Sequence, residues 1–466
     1  MDKTRVFIDN NSKRHNATVE LSRGGQGVVY RTTDSELALK LEINPENGEL
    51  LSDDDGQKSE KYTNLRLLPI PADANITLPL SALKDAPGYV MRLLNDMVSF
   101  ENAFDMENAV PAGNEWLDGL TQGGSECGEI FGRYIATGGV RRRLYAYMKV
   151  ACHMAKLHAA GLVYCDISAN NMFVSSAADI VNVWLIDADN LNFQKTTVKN
   201  GYYTNGYGAP EVIRGEGCTF HSDCYALAIS LFWHITGTHP FKGAMMDAVD
   251  DGDDFADDSE TKAYGGEFPW VKDADDNGNE ADTLIPCELL LGKRLLGMFD
   301  RMFSDSGKNV PSSRPSIFEM AELVSRACDE SVQCPHCRME YNFFEHEECP
   351  WCETSKPPSI VIRSCYKESK SKSSMWGFTA PITSSPIVVP KRAISCDVIV
   401  DIDRPAFELI INENVEIKNL QEFERVIFAL DSRELYGSRS LNESCFDIIV
   451  TDKNGIKKHV EFEVRR

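Results

Sequence analysis

Asp166, Asn171 and Asp187 offer three oxygen-bearing side chains at a spacing that suits a divalent cation. Asp166 and Asn171 stand in GLVYCDISANNMFV, residues 161–174, a turn entered from an apolar helix expected over Leu144–His158. A second apolar run, Val181–Ile186, delivers Asp187 at its C-terminal end. Burial of both runs leaves the polar tips converging at the edge of a core. Hard cations take such ligands, and Mg²⁺ usually shares one or two carboxylates with substrate phosphates. The same residues also fit an ordinary turn with capping Asp and Asn. The rest of the chain has to separate the two readings.

A phosphate-handling stretch lies far upstream. Ser22-x-Gly24-Gly25-x-Gly27-x-Val29 precedes a hairpin made of VVYRT and LALKL, residues 28–41. Glycines in such a loop let backbone N–H groups approach phosphate oxygens closely. Lys40 is the one charge in LALKL, and burial of that strand places its ammonium beneath the loop. A lysine that merely snorkels from an edge strand is the plainer alternative. Glu60, on a helix expected within residues 52–68, is either a partner for Lys40 or a solvated surface residue. Tyr89–Leu94 reads as a buried strand that ends in a hinge between two lobes.

Downstream, a polar loop ends in Gly208-Ala209-Pro210-Glu211, and an apolar helix then runs from Asp223 to Gly237. Arg314, at the mouth of another amphipathic helix, is placed to form a buried ion pair with Glu211. Taken in order, these parts resemble the bacterial eukaryotic-type (Hanks-type) Ser/Thr protein kinases over residues 20–328. The order is glycine-rich loop, strand lysine, helix glutamate, Asp-x-x-x-x-Asn loop, metal Asp, Ala-Pro-Glu, helix Asp and late Arg.

The resemblance implies ATP and Mg²⁺ (or Mn²⁺) as cofactors and a protein hydroxyl as acceptor. Asp166 would accept the hydroxyl proton, Lys40 would hold the α/β-phosphates with Glu60 orienting it, and Asn171 and Asp187 would hold the metal. The implied nucleotide site also takes in Ser22, Gly24, Gly25, Gly27, Val29, Ala38, Met91 and Leu93. Thr204 falls at the substrate shelf, while Thr196, Thr197 and Thr204 are candidates for autophosphorylation.

The departures are specific. Tyr164-Cys165 replaces the family's His-Arg before Asp166, and Ser168 stands where a lysine usually contacts the γ-phosphate. Ser168 keeps a hydroxyl for phosphate but brings no charge. Asp-Phe-Gly becomes Asp187-Ala188-Asp189. Ala188 cannot fill the slot of a Phe, and Asp189 is either a further metal ligand or a helix N-cap, the cap being preferred. This pattern is similar to a divergent subgroup found in gene clusters with a von Willebrand A-type protein and a PP2C-type phosphatase, which makes both expected partners. The departures also feed an alternative, a pseudokinase scaffold that binds nucleotide and partners without transfer.

Cys334-x-x-Cys337 and Cys349-x-x-Cys352 form two knuckles, each with Pro after its first Cys. Four thiolates so spaced suit tetrahedral, structural Zn²⁺. With coordination complete, His336 and His346 read as surface residues. A segment this short is expected to draw its folding energy from the metal.

The chain has 466 residues, of which 42% are apolar, enough for several domains with real cores. Its net charge of −23 argues against nucleic acid as a partner. The absence of a long apolar run or an apolar leader argues against membrane insertion and secretion. The fourteen cysteines then fit a reducing cytoplasm. Carboxylates crowd residues 247–282 and carry about half of that charge, and a solvated insertion anchored by Gly265–Trp270 accounts for them better than a Ca²⁺ loop does.

The expected fold is α+β: a bilobal kinase-like unit with an N-lobe over 1–94 and a C-lobe over 95–330. A four-cysteine zinc ribbon over 331–356, a Ser/Lys-rich linker over 357–393 and a small all-β, sandwich-like domain over 394–466 follow. The last of these shows alternating runs and no catalytic pattern.

Overall fold

The computed structural model describes residues 5–24, 27–44, 46–52, 57–123, 126–177, 181–194, 203–247 and 256–355, with backbone alone at 57–59, 247, 256–258 and 329. Beyond residue 358 it describes the backbone of eight strands.

The N-terminal part is an antiparallel sheet of β1 (Arg5–Ile8), β2 (Arg14–Arg23), β3 (Gly27–Thr32), β4 (Leu37–Glu42), β5 (Ser81–Ala82) and β6 (Gly88–Arg92), in the order β1-β2-β3-β4-β6-β5. Helix α1 (Gln57–Leu65) packs against β5 and β6. Alternation along β4 decides where its lysine goes. Leu39 and Leu41 are fully buried against Phe7, Val28, Leu83 and Val90. A period of two then turns Ala38 and Lys40 to the opposite face. There Lys40 lies across from Val29 on β3 and Tyr89 on β6.

The C-terminal lobe is built around the helix Gly139–Ala159, longer than the expected 144–158, which packs against Phe220–Thr236 and Ile317–Glu330. The helix expected to start at Asp223 begins three residues earlier. Thr219 and Ser222 form a reciprocal capping box at its start, and Gly237 closes it in the left-handed conformation at φ +72°. The strands Met172–Ser175 and Val183–Leu185 pair with each other, and the first also pairs with Met97–Ser99. They carry Asn171 and Asp187 on their flanks.

The anchor expected for the acidic insertion is in place: Phe268, Trp270 and Val271 are buried. The buried Lys308 donates to Phe268 O at 3.0 Å, and Asn279 Nδ2 donates to Phe241 O and Pro269 O at 3.1 and 2.8 Å. Asp273 and Asp276 accept nearby backbone N–H groups in turns. Residues 248–255 lie outside the described residues.

The cysteine segment does not stand apart as a separate unit. Cys334, Cys337, Met339, Tyr341, Phe343 and Cys349 belong to the same buried cluster as the C-lobe helices. Asn114 Nδ2 donates to Cys337 O at 3.0 Å, and the Trp351 ring meets Phe131 at 5.2 Å. The buried Glu340 accepts the Arg141 N–H at 2.8 Å and so caps the first turn of the central helix. The expectation that metal alone holds this segment is corrected: it shares the lobe's apolar core. No local pattern reveals this, because its partners lie some 200 residues away in sequence.

The stretch 357–393, expected as a linker, contains strands Ser359–Cys365 and Ile387–Pro390, which pair with each other. Ser359–Cys365 also pairs with the final strand, Lys457–Arg465, in a six-stranded antiparallel sheet. Ser395–Asp401 and Glu408–Glu416 form a separate pair. Ile360, Val361 and Ile362 are the apolar run that the Ser/Lys-rich composition around them concealed.

Two buried histidines, His153 and His239, and the half-buried His234 make a prediction about pH. Burial holds His153 and His239 at about 4 and His234 at about 3, below the ordinary value of 6.5. The native state therefore keeps them neutral where the unfolded chain protonates them. Their depressed values leave stability intact above 6.5 and remove it as pH falls, by about 1 kcal/mol per histidine per pH unit until the native values are reached. Thermal melts between pH 7.5 and 5 are expected to fall steadily. A flat melting temperature down to pH 5 sinks this account.

Candidate active site

The structure brings Lys40, Asp166, Asn171 and Asp187 to one cleft between the sheet and the helical lobe. Asp223, 2% exposed, organises the loop below it. Its carboxylate accepts the N–H groups of Tyr164 and Cys165 at 2.8 and 3.0 Å and meets His158 Nε2 at 3.0 Å. Those bonds hold Cys165 at φ +74°, a left-handed conformation that costs a non-glycine residue about 1 kcal/mol or more. The turn projects Asp166 into the cleft. Asn171 Nδ2 donates to Asp166 Oδ2 at 3.0 Å, and Thr204 Oγ1 donates to Asp166 Oδ1 at 3.0 Å. A small cavity lies beside Asp166, lined by Cys165, Ile167, Tyr203, Tyr207 and Ala209.

Tyr164 makes a contact that the sequence hides. Fully buried, it donates its hydroxyl to the carbonyl of Ile186, the residue before Asp187. It ties the two loops together. Ser168 is also buried, and its hydroxyl has no hydrogen-bond partner among the described residues.

Gly27 closes over the lysine: a Cβ there would sit 3.3 Å from Lys40 Cε and 3.1 Å from Leu41 O. Gly24 N–H donates to Gly27 O at 2.9 Å, and Ser22 is exposed. Gly25 lies outside the described residues. Ala38, Val29 and Met91 line adjacent strands, Ala38 facing Met91 across the ladder. Leu93 follows β6, its N–H bonded to Glu36 O at 2.8 Å.

Two expectations are corrected here. Glu60 is exposed on α1 and does not hold Lys40, because the turn of α1 that faces the cleft carries the buried Tyr62 instead. Tyr62 packs its ring 4.8 Å from that of Tyr89 and donates to Glu42. Asp189 is not a helix cap either: the short turn Ala188–Asn190 has Asp187 at its N-cap, without a side-chain capping bond. Its Oδ2 sits 2.7 Å from Lys40 Nζ, and Asp187 Oδ1 contacts the same ammonium.

Burial works to lower the Lys40 pKa, but the Asp189 and Asp187 charges outweigh it and hold the lysine above its ordinary value. Burial raises Asp187 above the usual carboxylate range, with Lys40 opposing and Asp189 adding to the rise. The site thus holds one cation between two carboxylates, so it has negative charge to spare for a metal.

Below the cleft, Arg314 and Glu211 form the expected pair, two bonds of 2.7 and 2.8 Å with both side chains buried. It ties the Ala-Pro-Glu segment to the late helix. Thr196 and Thr197 lie outside the described residues.

At the ribbon, Cys334 Sγ and Cys352 Sγ are 3.6 Å apart, as are Cys337 Sγ and Cys349 Sγ, and all four sulfurs lie within 4.8 Å of one another. A tetrahedron of sulfurs about 2.3 Å from Zn²⁺ has edges of about 3.8 Å. The four thiols fit a metal. The Cys337 thiol, burial opposing it, and the Trp351 and Cys352 amides hold Cys349 down at about 5, near thiolate character.

The protein kinase domain family model matches residues 135–278. Among curated proteins, a probable serine/threonine-protein kinase of Dictyostelium discoideum is 34% identical over 94 residues, covering 20% of this chain and 18% of that protein. The probable serine/threonine-protein kinase PknB of Lactococcus lactis is 33% identical over 97 residues, covering 21% and 16%. Human rhodopsin kinase GRK1 is 28% identical over 103 residues, covering 22% and 18%. Residues 135–278 are thus similar to a protein kinase domain, and the chain spans less than a fifth of the length of these relatives.

Proposed function

We propose that this protein is an ATP- and Mg²⁺-dependent serine/threonine protein kinase that phosphorylates a protein hydroxyl and also itself. The observation that carries the reading is the convergence of Asp166, Asn171, Asp187 and Lys40 in one cleft beneath the Gly24–Gly27 loop. Asp166 takes the hydroxyl proton, Asn171 and Asp187 hold Mg²⁺, and Lys40 steadies the phosphates. Bound Mg²⁺ neutralises charge that develops on the transferring phosphoryl group. The four-cysteine cluster holds structural Zn²⁺. A PP2C-type phosphatase fits as a partner that removes the phosphate added here, with a von Willebrand A-type protein as the other. A cytoplasmic location goes with the free cysteines and with the lack of any membrane-spanning helix among the described residues.

One observation favours the scaffold alternative: Lys40 occupies Asp187, the metal ligand. Transfer of labelled γ-phosphate from ATP, with Mg²⁺ and with EDTA, to itself and to a basic generic protein separates the two. Mg²⁺-dependent label on serine or threonine is expected. Nucleotide binding with no label on any acceptor overturns catalysis in favour of the scaffold.

A further inference from the structure

Resting on that nucleotide-site reading, we infer that Asp189 is the positioning residue of Lys40, the role the resemblance assigned to a glutamate on α1. Lys40 Nζ has two carboxylate partners, and only one of them is free to stay. Asp187 follows the strand beside Asn171 and would hold the metal of bound Mg·ATP. Asp189 stands two residues beyond that ligand. Its side chain is 11% exposed, its Oδ2 holds the lysine at 2.7 Å, and the buried Tyr89 phenol lies against the same carboxylate.

The fold keeps it there. Ala188 is fully buried, and the turn Ala188–Asn190 packs against α1. The small buried side chain lets the turn sit close. Tyr89, fully buried across the ladder from Lys40, has its phenol pushed far above its ordinary value by burial and by the Asp189 and Asp187 charges, which places both carboxylates against the same wall. With Glu60 on the exposed side of α1, among the described residues the cation's counter-charge comes from the segment after the metal ligand.

The consequence has a sign that a merely structural role does not reproduce. Asp189 is a negative charge near polyanionic ATP, so its loss alone should tighten nucleotide binding. If it aims Lys40, its loss should instead weaken binding, because Lys40 then collapses onto Asp187. Mg·ATP affinity is measured by calorimetry on the full chain in four forms: wild type, Asp189→Asn, Lys40→Met and the double variant. Asp189→Asn is expected to weaken binding at least fivefold in the presence of Lys40, and to leave it unchanged or tighter in the Lys40→Met background. Asp189→Glu is expected to restore most of the affinity.

A shift of the same size and direction in both backgrounds overturns the inference, as does the same coupling found for Glu60→Gln in place of Asp189→Asn. A melting temperature measured on each form excludes unfolding as the cause. The sign reversal without phosphate transfer by the wild type sinks the kinase reading and leaves this one standing. Absence of Mg·ATP binding by the folded wild type overturns both.

Discussion

Asp166→Asn is expected to lower kcat for phosphate transfer by about a thousandfold, within the range of 10² to 10⁴ that a positioned proton acceptor contributes. The KM for ATP should stay within about twofold, since Asp166 contacts the acceptor side of the cleft. The substitution removes basicity and little else. Thr204 Oγ1 donates to Oδ1 at 3.0 Å and can rotate to accept from an amide, while the other oxygen still accepts from Asn171 Nδ2. The expected cost in stability is therefore about 1 kcal/mol or less. Single-turnover transfer and a thermal melt on the same preparation read both quantities. An Asn variant retaining a tenth or more of wild-type kcat removes Asp166 as the base and leaves it a loop-positioning group.

Zinc removal should have the other large effect. Structural zinc in small modules contributes about 10–16 kcal/mol, comparable to the whole stability of a typical domain. Here the loss would not stop at the ribbon. Glu340 caps the helix Gly139–Ala159, and Cys337 offers its carbonyl to Asn114. That helix packs against both neighbouring C-lobe helices and leads into the Asp166 loop. Cys337→Ser, or a strong chelator, is expected to lower the melting temperature by at least 10 °C and to abolish transfer with it. One zinc per chain should be released. A chelated, metal-free chain that melts and transfers like the untreated one defeats the proposed coupling.

The chain's own text shows where the candidate site residues stand and in what order. The Leu39/Leu41 alternation alone turns Lys40 away from the N-lobe core, and the apolar run up to Ile186 alone places Asp187 at a strand end. The Cys-x-x-Cys spacing needs no fold to suggest a metal. These are short-range patterns, and burial of apolar side chains at a fixed period dictates them.

What the text could not decide was pairing between distant segments. Whether α1 turns Glu60 or Tyr62 into the cleft depends on how that helix rolls against β5 and β6. Asp189's switch from cap to lysine partner depends on a buried Ala188 drawing its turn against α1. Tyr164's bond to Ile186 spans 22 residues, and Glu340's bond to Arg141 spans 199. Such contacts are chosen by the whole packed arrangement, because a buried carboxylate or hydroxyl must find whichever partner the tertiary fold leaves within reach.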